Sequence, residues 1–221
     1  MLCVRQRLYW CECAGRVVFL DLAADRYFCL SGNSATAFLK VVHGETSQAD
    51  PGTLRRLIDA EVLVEDSAAM PVQPPAAVEP ATGDFLEPPY PRASFRQLGN
   101  ALMSELVVAL QLRTRSLVAI LGTAGRTRAV DSANGPEVTA RLERIVAASM
   151  AAALVVRSAD RCLARALAVH RMCRRAGVAA TLVFGVRMDP FAAHCWVQRG
   201  SAVLVGGFEQ VRLYTPILAL G

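Results

Sequence analysis

Two residues are placed for nucleophilic chemistry, Cys162 and His194, within the stretch from Ala159 to Val205. Asp160 can serve as an N-cap or first-turn acid, which predicts a helix from about Arg161 and puts Cys162 in its first turn. Unpaired N–H groups and the positive end of the helix dipole favour a thiolate there, and neighbouring Arg161 adds to this. Cys162, Ala166, Val169 and Cys173 repeat as a core-facing stripe, with Arg174 and Arg175 in the last turn and Gly177 beyond it. Val178 to Val186 reads as a strand and Pro190 as a turn. Ala192 to Gln198 reads as the next strand, with His194, Trp196 and Gln198 on one face, and Gly200 turns the chain into Ala202–Val205.

A helix packed on the sheet it leads into would bring Cys162 and His194 together as nucleophile and base. That chemistry needs the base about 3 Å from the thiol and a third group fixing the tautomer. Taken singly, each has a plainer explanation. A cysteine in an alanine-rich helix is ordinarily core, as we read Cys173 and Cys195, and a lone strand histidine is ordinarily structural. The helix-start position and the motif around His194 give the pair its weight.

The elements that must position this pair come earlier in the chain. Ser94 caps a predicted helix to about Leu112, carrying Leu98, Leu102, Glu105, Leu106 and Ala109 at helical spacing. Leu117–Leu121 extends the apolar character, Gly122 to Pro136 reads as a loop, and Glu137 to Val156 as a second long helix. Both helices read as scaffold. Between Ser67 and Pro91 lie seven of the eleven prolines, which predicts a semi-extended linker that lets an N-terminal unit move.

That unit, residues 1–66, opens with a strand at Leu8–Cys13 and a hairpin over Arg16–Leu30. Asn33 or Ser34 would cap a helix through Val42, a short helix follows near Gln48, and another spans Pro51–Ala60. Glu61–Glu65 would close the unit as a strand. The pattern is a small winged-helix-like domain. An exposed strand edge beside a helix suits capture of an extended peptide better than DNA.

Composition narrows the classes further. The net charge is +5 and 53% of residues are hydrophobic, enough for a packed core in 221 residues. Lys40 is the single lysine, and the arginines are scattered without a dense basic run, so nucleic acid is not expected as a partner. There are seven cysteines, with no CxxC pair and no signal-peptide h-region, which predicts a cytoplasmic protein. Cys11-x-Cys13 lacks two further ligands, so no metal is expected. No apolar run reaches the roughly 20 residues that cross a bilayer, so no membrane insertion is expected.

The segments DRCLARALAVHRMCRRAG, GVRMDPFAAHCWV and YTPIL resemble the lasso-peptide B proteins. The resemblance is to the fused kind, in which a PqqD-like leader-recognition domain precedes a transglutaminase-like cysteine protease. It is strongest from Asp160 to Trp196 and weaker over residues 1–66.

The resemblance implies an α+β chain of three parts: residues 1–66 binding the leader, a Pro-rich linker over 67–93, and a transglutaminase/papain-like domain over 94–221 with helices and an antiparallel sheet. It implies cleavage of leader from core, with Cys162 as nucleophile and His194 as base, and transfer of the core to an ATP-dependent, asparagine-synthetase-like cyclase. No P-loop is present, so any ATP dependence would lie with that partner and no bound cofactor is expected. The leader is expected on the strand Tyr27, Phe28, Cys29 and Leu30, beside the helix with Leu54 and Leu57.

One departure stands out. The family's third residue, an aspartate, falls at Gly206 here, and no aspartate follows Asp189. Three accounts stay open: Glu209 orients His194, Asp189 does so from the preceding loop, or the site is a dyad or weak. Two other functions stay open with them: a leader-binding carrier with a degenerate site, and acyl transfer to an amine.

Overall fold

The computed structural model describes residues 2–65, 76–122, 135–156 and 161–221. Asp160, most of the Gly122–Pro136 segment, and the prolines at 71, 74 and 75 lie outside the described residues.

The N-terminal unit begins with β1 (Leu2–Val4), β2 (Leu8–Cys13), β3 (Arg16–Asp21) and β4 (Arg26–Leu30). Strands β2, β3 and β4 form an antiparallel meander in that order, so β4 is an edge. Ala14 and Gly15, at φ 48° and 71°, make the tight β2–β3 turn, the left-handed pair that matches strand twist. Helix α1 (Gly32–Val42) starts with Ser31 at its N-cap, not Asn33 or Ser34. The chain leaves β4 directly at Leu30, so the first non-helical residue is already Ser31. A 3-10 turn at Thr46–Gln48 leads to α2 (Pro51–Asp59), capped by Asp50, whose carboxylate accepts from Thr53 N. Strand β5 (Leu63–Glu65) pairs antiparallel with β1, a strand too short to announce itself in sequence.

Trp10, Phe19, Phe38 and Leu63 fill the core of this unit, with Phe19 stacked on Phe28 at 4.9 Å. Leu57 is buried in that core, while Leu54, Phe28 and Leu30 are partly buried around it.

The C-terminal unit has two long helices, α3 (Phe95–Thr114) and α5 (Pro136–Val155), joined through short α4 (Leu117–Gly122), then α6 (Cys162–Arg175). Ser94 and Gln97 form a reciprocal capping box that fixes the start of α3. Strands β7 (Thr181–Arg187), β8 (Ala192–Arg199) and β9 (Ala202–Val205) form an antiparallel meander. Short α7 (Phe208–Val211) and β10 (Thr215–Leu220) complete the chain. The sheet order is β10-β7-β8-β9-β6. Gly185 gives Trp196 its place, because a β-carbon there would lie 2.5 Å from the indole.

Its outer strand, β6 (Gly83–Asp84), comes from the stretch expected as linker, and it pairs parallel to β9. The expectation that no sheet persists there is therefore corrected. The strap is tied by Thr82 N to Ser201 O at 2.9 Å, Phe85 N to Val203 O at 2.8 Å, and buried Gln198 Nε2 to Glu79 O at 2.7 Å.

The two units share a core: Cys11, Val18, Leu20 and Leu22 pack in one cluster with Leu182, Ile217 and Leu218. Arg16 pairs with Asp189 at 3.7 Å across the same junction, and Tyr27 packs on Phe191 at 5.7 Å. The expected freedom of the N-terminal unit is not what this packing describes. No helix among the described residues is long and apolar enough to cross a membrane.

Candidate active site

Cys162 is the first residue of α6 and is half-buried, with Arg161 at the N-cap position making no side-chain cap. Its amide is among the first-turn N–H groups that a helix leaves without intrahelical partners. The stripe below it is packed as its spacing predicts: Ala166, Val169 and Cys173 are all buried. Small Ala166 lets α6 lie close on β8.

His194 stands on β8 opposite Gly185 and is 8% exposed. Its ring lies between Trp196, nearly parallel at 6.3 Å, and Tyr214 at 5.2 Å. Trp196 is itself held by a bond from Nε1 to Gln198 Oε1 at 2.8 Å. Burial pushes the His194 imidazole below its ordinary range, and the Gly206 backbone acts weakly the other way. His194 Nε2 is buried with no hydrogen-bond partner among the described residues.

Cys162 and His194 line one cavity of about 450 Å³. Its lining draws on several elements, including β9 through Val203 to Val205 and the Gly206–Gly207 segment that follows it. Helix α6 gives Cys162 and Arg165, β8 gives His194 and Cys195, α5 gives Ser149 and Met150, and the strap gives Asp84, Leu86 and Tyr90. Cys195 is buried beside Cys162, and burial, then Cys162 itself, pushes its thiol up. Burial likewise pushes Cys173 up to about 12, so both read as inert core thiols.

Gly206 lies at the buried side of His194. A β-carbon at this position would lie 3.4 Å from His194 Nε2 but only 2.6 Å from the β-carbon of Trp196. With φ at +124°, the residue adopts a backbone that side-chain-bearing residues rarely take.

Neither of the expected alternative acids lines the cavity. Glu209 is largely exposed and pairs with Arg212 at 3.0 Å on the one-turn helix α7. Asp189 is exposed at the β7–β8 turn and pairs with Arg16. Both carboxylates lie in surface ion pairs, outside the cavity lining.

Asp84 is a carboxylate that does line the cavity, and it accepts from Phe208 N at 2.8 Å. It had no signal in sequence, since it sits in the proline-rich stretch. Arg165 and Glu105 were also missed. Arg165 Nε donates to Glu105 Oε1 at 3.1 Å, and its Nη2 donates to Val156 O at 3.2 Å. Glu105, 3% exposed, had left a trace: a carboxylate in the apolar stripe of α3.

The residues expected to bind a leader are not all alike. Tyr27 packs against the core shared by the two units, and burial first, then Cys195, Asp25 and Cys162, push its phenol up. Phe28 and Leu30 face the small core, Cys29 is exposed, and Leu57 is core rather than groove.

A family model described as the transglutaminase-like superfamily matches residues 105–219, just over half of the chain. No curated protein and no solved structure matches.

Proposed function

The chain belongs to the transglutaminase-like superfamily, and from that premise we propose that it is a cysteine peptidase removing the leader of a lasso-peptide precursor. One observation carries the proposal: a cysteine at a helix N-terminus and a histidine on the adjacent strand line the same cavity. In this reading Cys162 attacks the scissile carbonyl, and its proton passes to His194. His194 then protonates the departing amine, and water releases the acyl-enzyme.

Residues 1–66 act as a PqqD-like, winged-helix-like leader-recognition domain. Support comes from the three-stranded meander with its β4 edge open, followed by α1 and α2. The leader adds to β4 along Tyr27–Leu30, with Leu54 at the side. The core passes to an ATP-dependent, asparagine-synthetase-like cyclase in the cytoplasm.

The test is incubation of precursor with the full-length protein and the cyclase, repeated with Cys162→Ala. Cleavage is expected with the native chain and none above background with the variant. Cleavage that survives the substitution overturns the reading. A second reading, a leader-binding carrier with a degenerate site, is favoured by one feature: among the described residues, no carboxylate hydrogen-bonds His194 Nε2. Leader binding by the native chain without cleavage is the outcome that selects it.

A further inference from the structure

The cavity beside Cys162 is mostly walled by apolar groups from Val146, Met150, Leu86 and Leu204. Ser149 and Arg165 are among the polar side chains that interrupt that wall, with Asp84, Tyr90, His194 and Gln210. Ser149 is 1% exposed, and its hydroxyl is buried without a hydrogen-bond partner among the described residues. A helical serine normally bonds back to the carbonyl one turn earlier, and this one does not. Arg165 stands one turn beyond Cys162 on α6 and faces the same cavity. Glu105 and the Val156 carbonyl hold its Nε and Nη2, so the guanidinium is fixed before any ligand arrives.

The charge of this pair decides what it can hold. Glu105 is buried and already neutralises Arg165, and its second oxygen has no hydrogen-bond partner among the described residues. A carboxylate entering the cavity would lose its water without gaining a net countercharge. An uncharged oxygen meets fixed N–H and O–H donors at no such cost.

We propose that Ser149 and Arg165 form a subsite for the carbonyl oxygen of an uncharged amide, lying within a bond or two of the atom that Cys162 attacks. The inference rests on Cys162 as the nucleophile, and it adds the group that orients the acyl half of the peptide. Ser149 and Arg165 are thus binding residues, and Glu105 is the positioning residue that sets Arg165.

The probes are iodoacetamide and iodoacetate, which differ in carrying a neutral amide or a carboxylate beside the reacting carbon. Alkylation of Cys162 in the full-length protein is followed by peptide mass mapping, and the rate ratio of the two reagents is divided by the same ratio for glutathione. The normalised preference for iodoacetamide is expected to be about tenfold, the fold-change of one good hydrogen bond. It should fall to about one in Ser149→Ala and in Arg165→Met combined with Glu105→Gln. The combined variant avoids stranding a buried carboxylate, and Ser149→Ala decides alone if it does not fold. A native preference near one, or a preference unchanged in the folded variants, overturns the subsite while leaving the nucleophile assignment standing. No reaction of Cys162 with either reagent overturns both.

Discussion

His194 packs against two aromatic rings, and its buried Nε2 has no hydrogen-bond partner among the described residues. Because burial disfavours the imidazolium, the ring stays neutral to lower pH than a free histidine, whose ordinary value is 6.5. The acidic limb of kcat/KM for cleavage should therefore lie below pH 6.5, which a pH–rate profile reads directly. His194→Ala should lower kcat by roughly 10²- to 10⁴-fold, the usual worth of a positioned base. An aspartate restored at Gly206 should not help. Its β-carbon would collide with Trp196 and its backbone sits at φ +124°, so Gly206→Asp should cost about 1–3 kcal/mol of stability without raising the rate. A denaturant melt read beside the cleavage rate checks both halves of that statement. A gain in rate would mean that the loop after β9 re-forms around the new side chain.

Helix α6 carries the buried His170, 1% exposed, whose ring nitrogens have no hydrogen-bond partner among the described residues. Burial, and then Arg174, push it down to about 4, with a weak opposing influence from the Ala180 backbone. The native state thus holds it neutral while the unfolded chain protonates it near 6.5. Its contribution is intact above pH 6.5 and is lost as pH falls toward 4. The expected loss is about 3 kcal/mol over that window. Urea unfolding at both ends of the window should show it, and His170→Leu should flatten it. A variant that keeps the full slope would assign the acid sensitivity elsewhere.

At this scale much was legible in sequence. The Ser94–Gln97 box, the β-rich runs of β7 to β9 and the stripe below Cys162 each announce an element through local chemistry. What stayed hidden depends on distant partners. Gly83 and Asp84 have no strand character of their own and become a strand because β9 offers them an edge. Ser149 looked like one more small residue in an alanine-rich helix. Arg165 carries no sequence signal of its own, because its role depends on Glu105 meeting it from α3. Asp84 was invisible as a site residue because a proline-rich stretch predicts extension, not what the extension lies against.

Across the whole molecule, the two units do not behave as beads on a string. Leu20 and Val18 of β3 pack with Ile217 and Leu218 of β10 in one cluster, so each unit is part of the other's interior. A fragment beginning at residue 76 should expose that apolar surface and melt well below the intact chain, with scanning calorimetry as the measurement. Leu20→Ala should destabilise the full-length protein by about 2–5 kcal/mol in a single transition. Two separated transitions would mean that the junction contributes little. The same junction packs Tyr27, at the meander's edge, against Phe191 of the C-terminal unit.

The two residues of β6 also decide where strangers can attach. A bare strand edge is a template for any extended chain, and β9 would present one right beside the cavity. With Gly83 and Asp84 already bonded along it, an incoming chain would have to peel the strap away first. Among the described residues, no strand pairs along the outer edge of β4. Of these two strand edges, the one beside the cavity is thus taken by the protein's own backbone before any other chain can reach it.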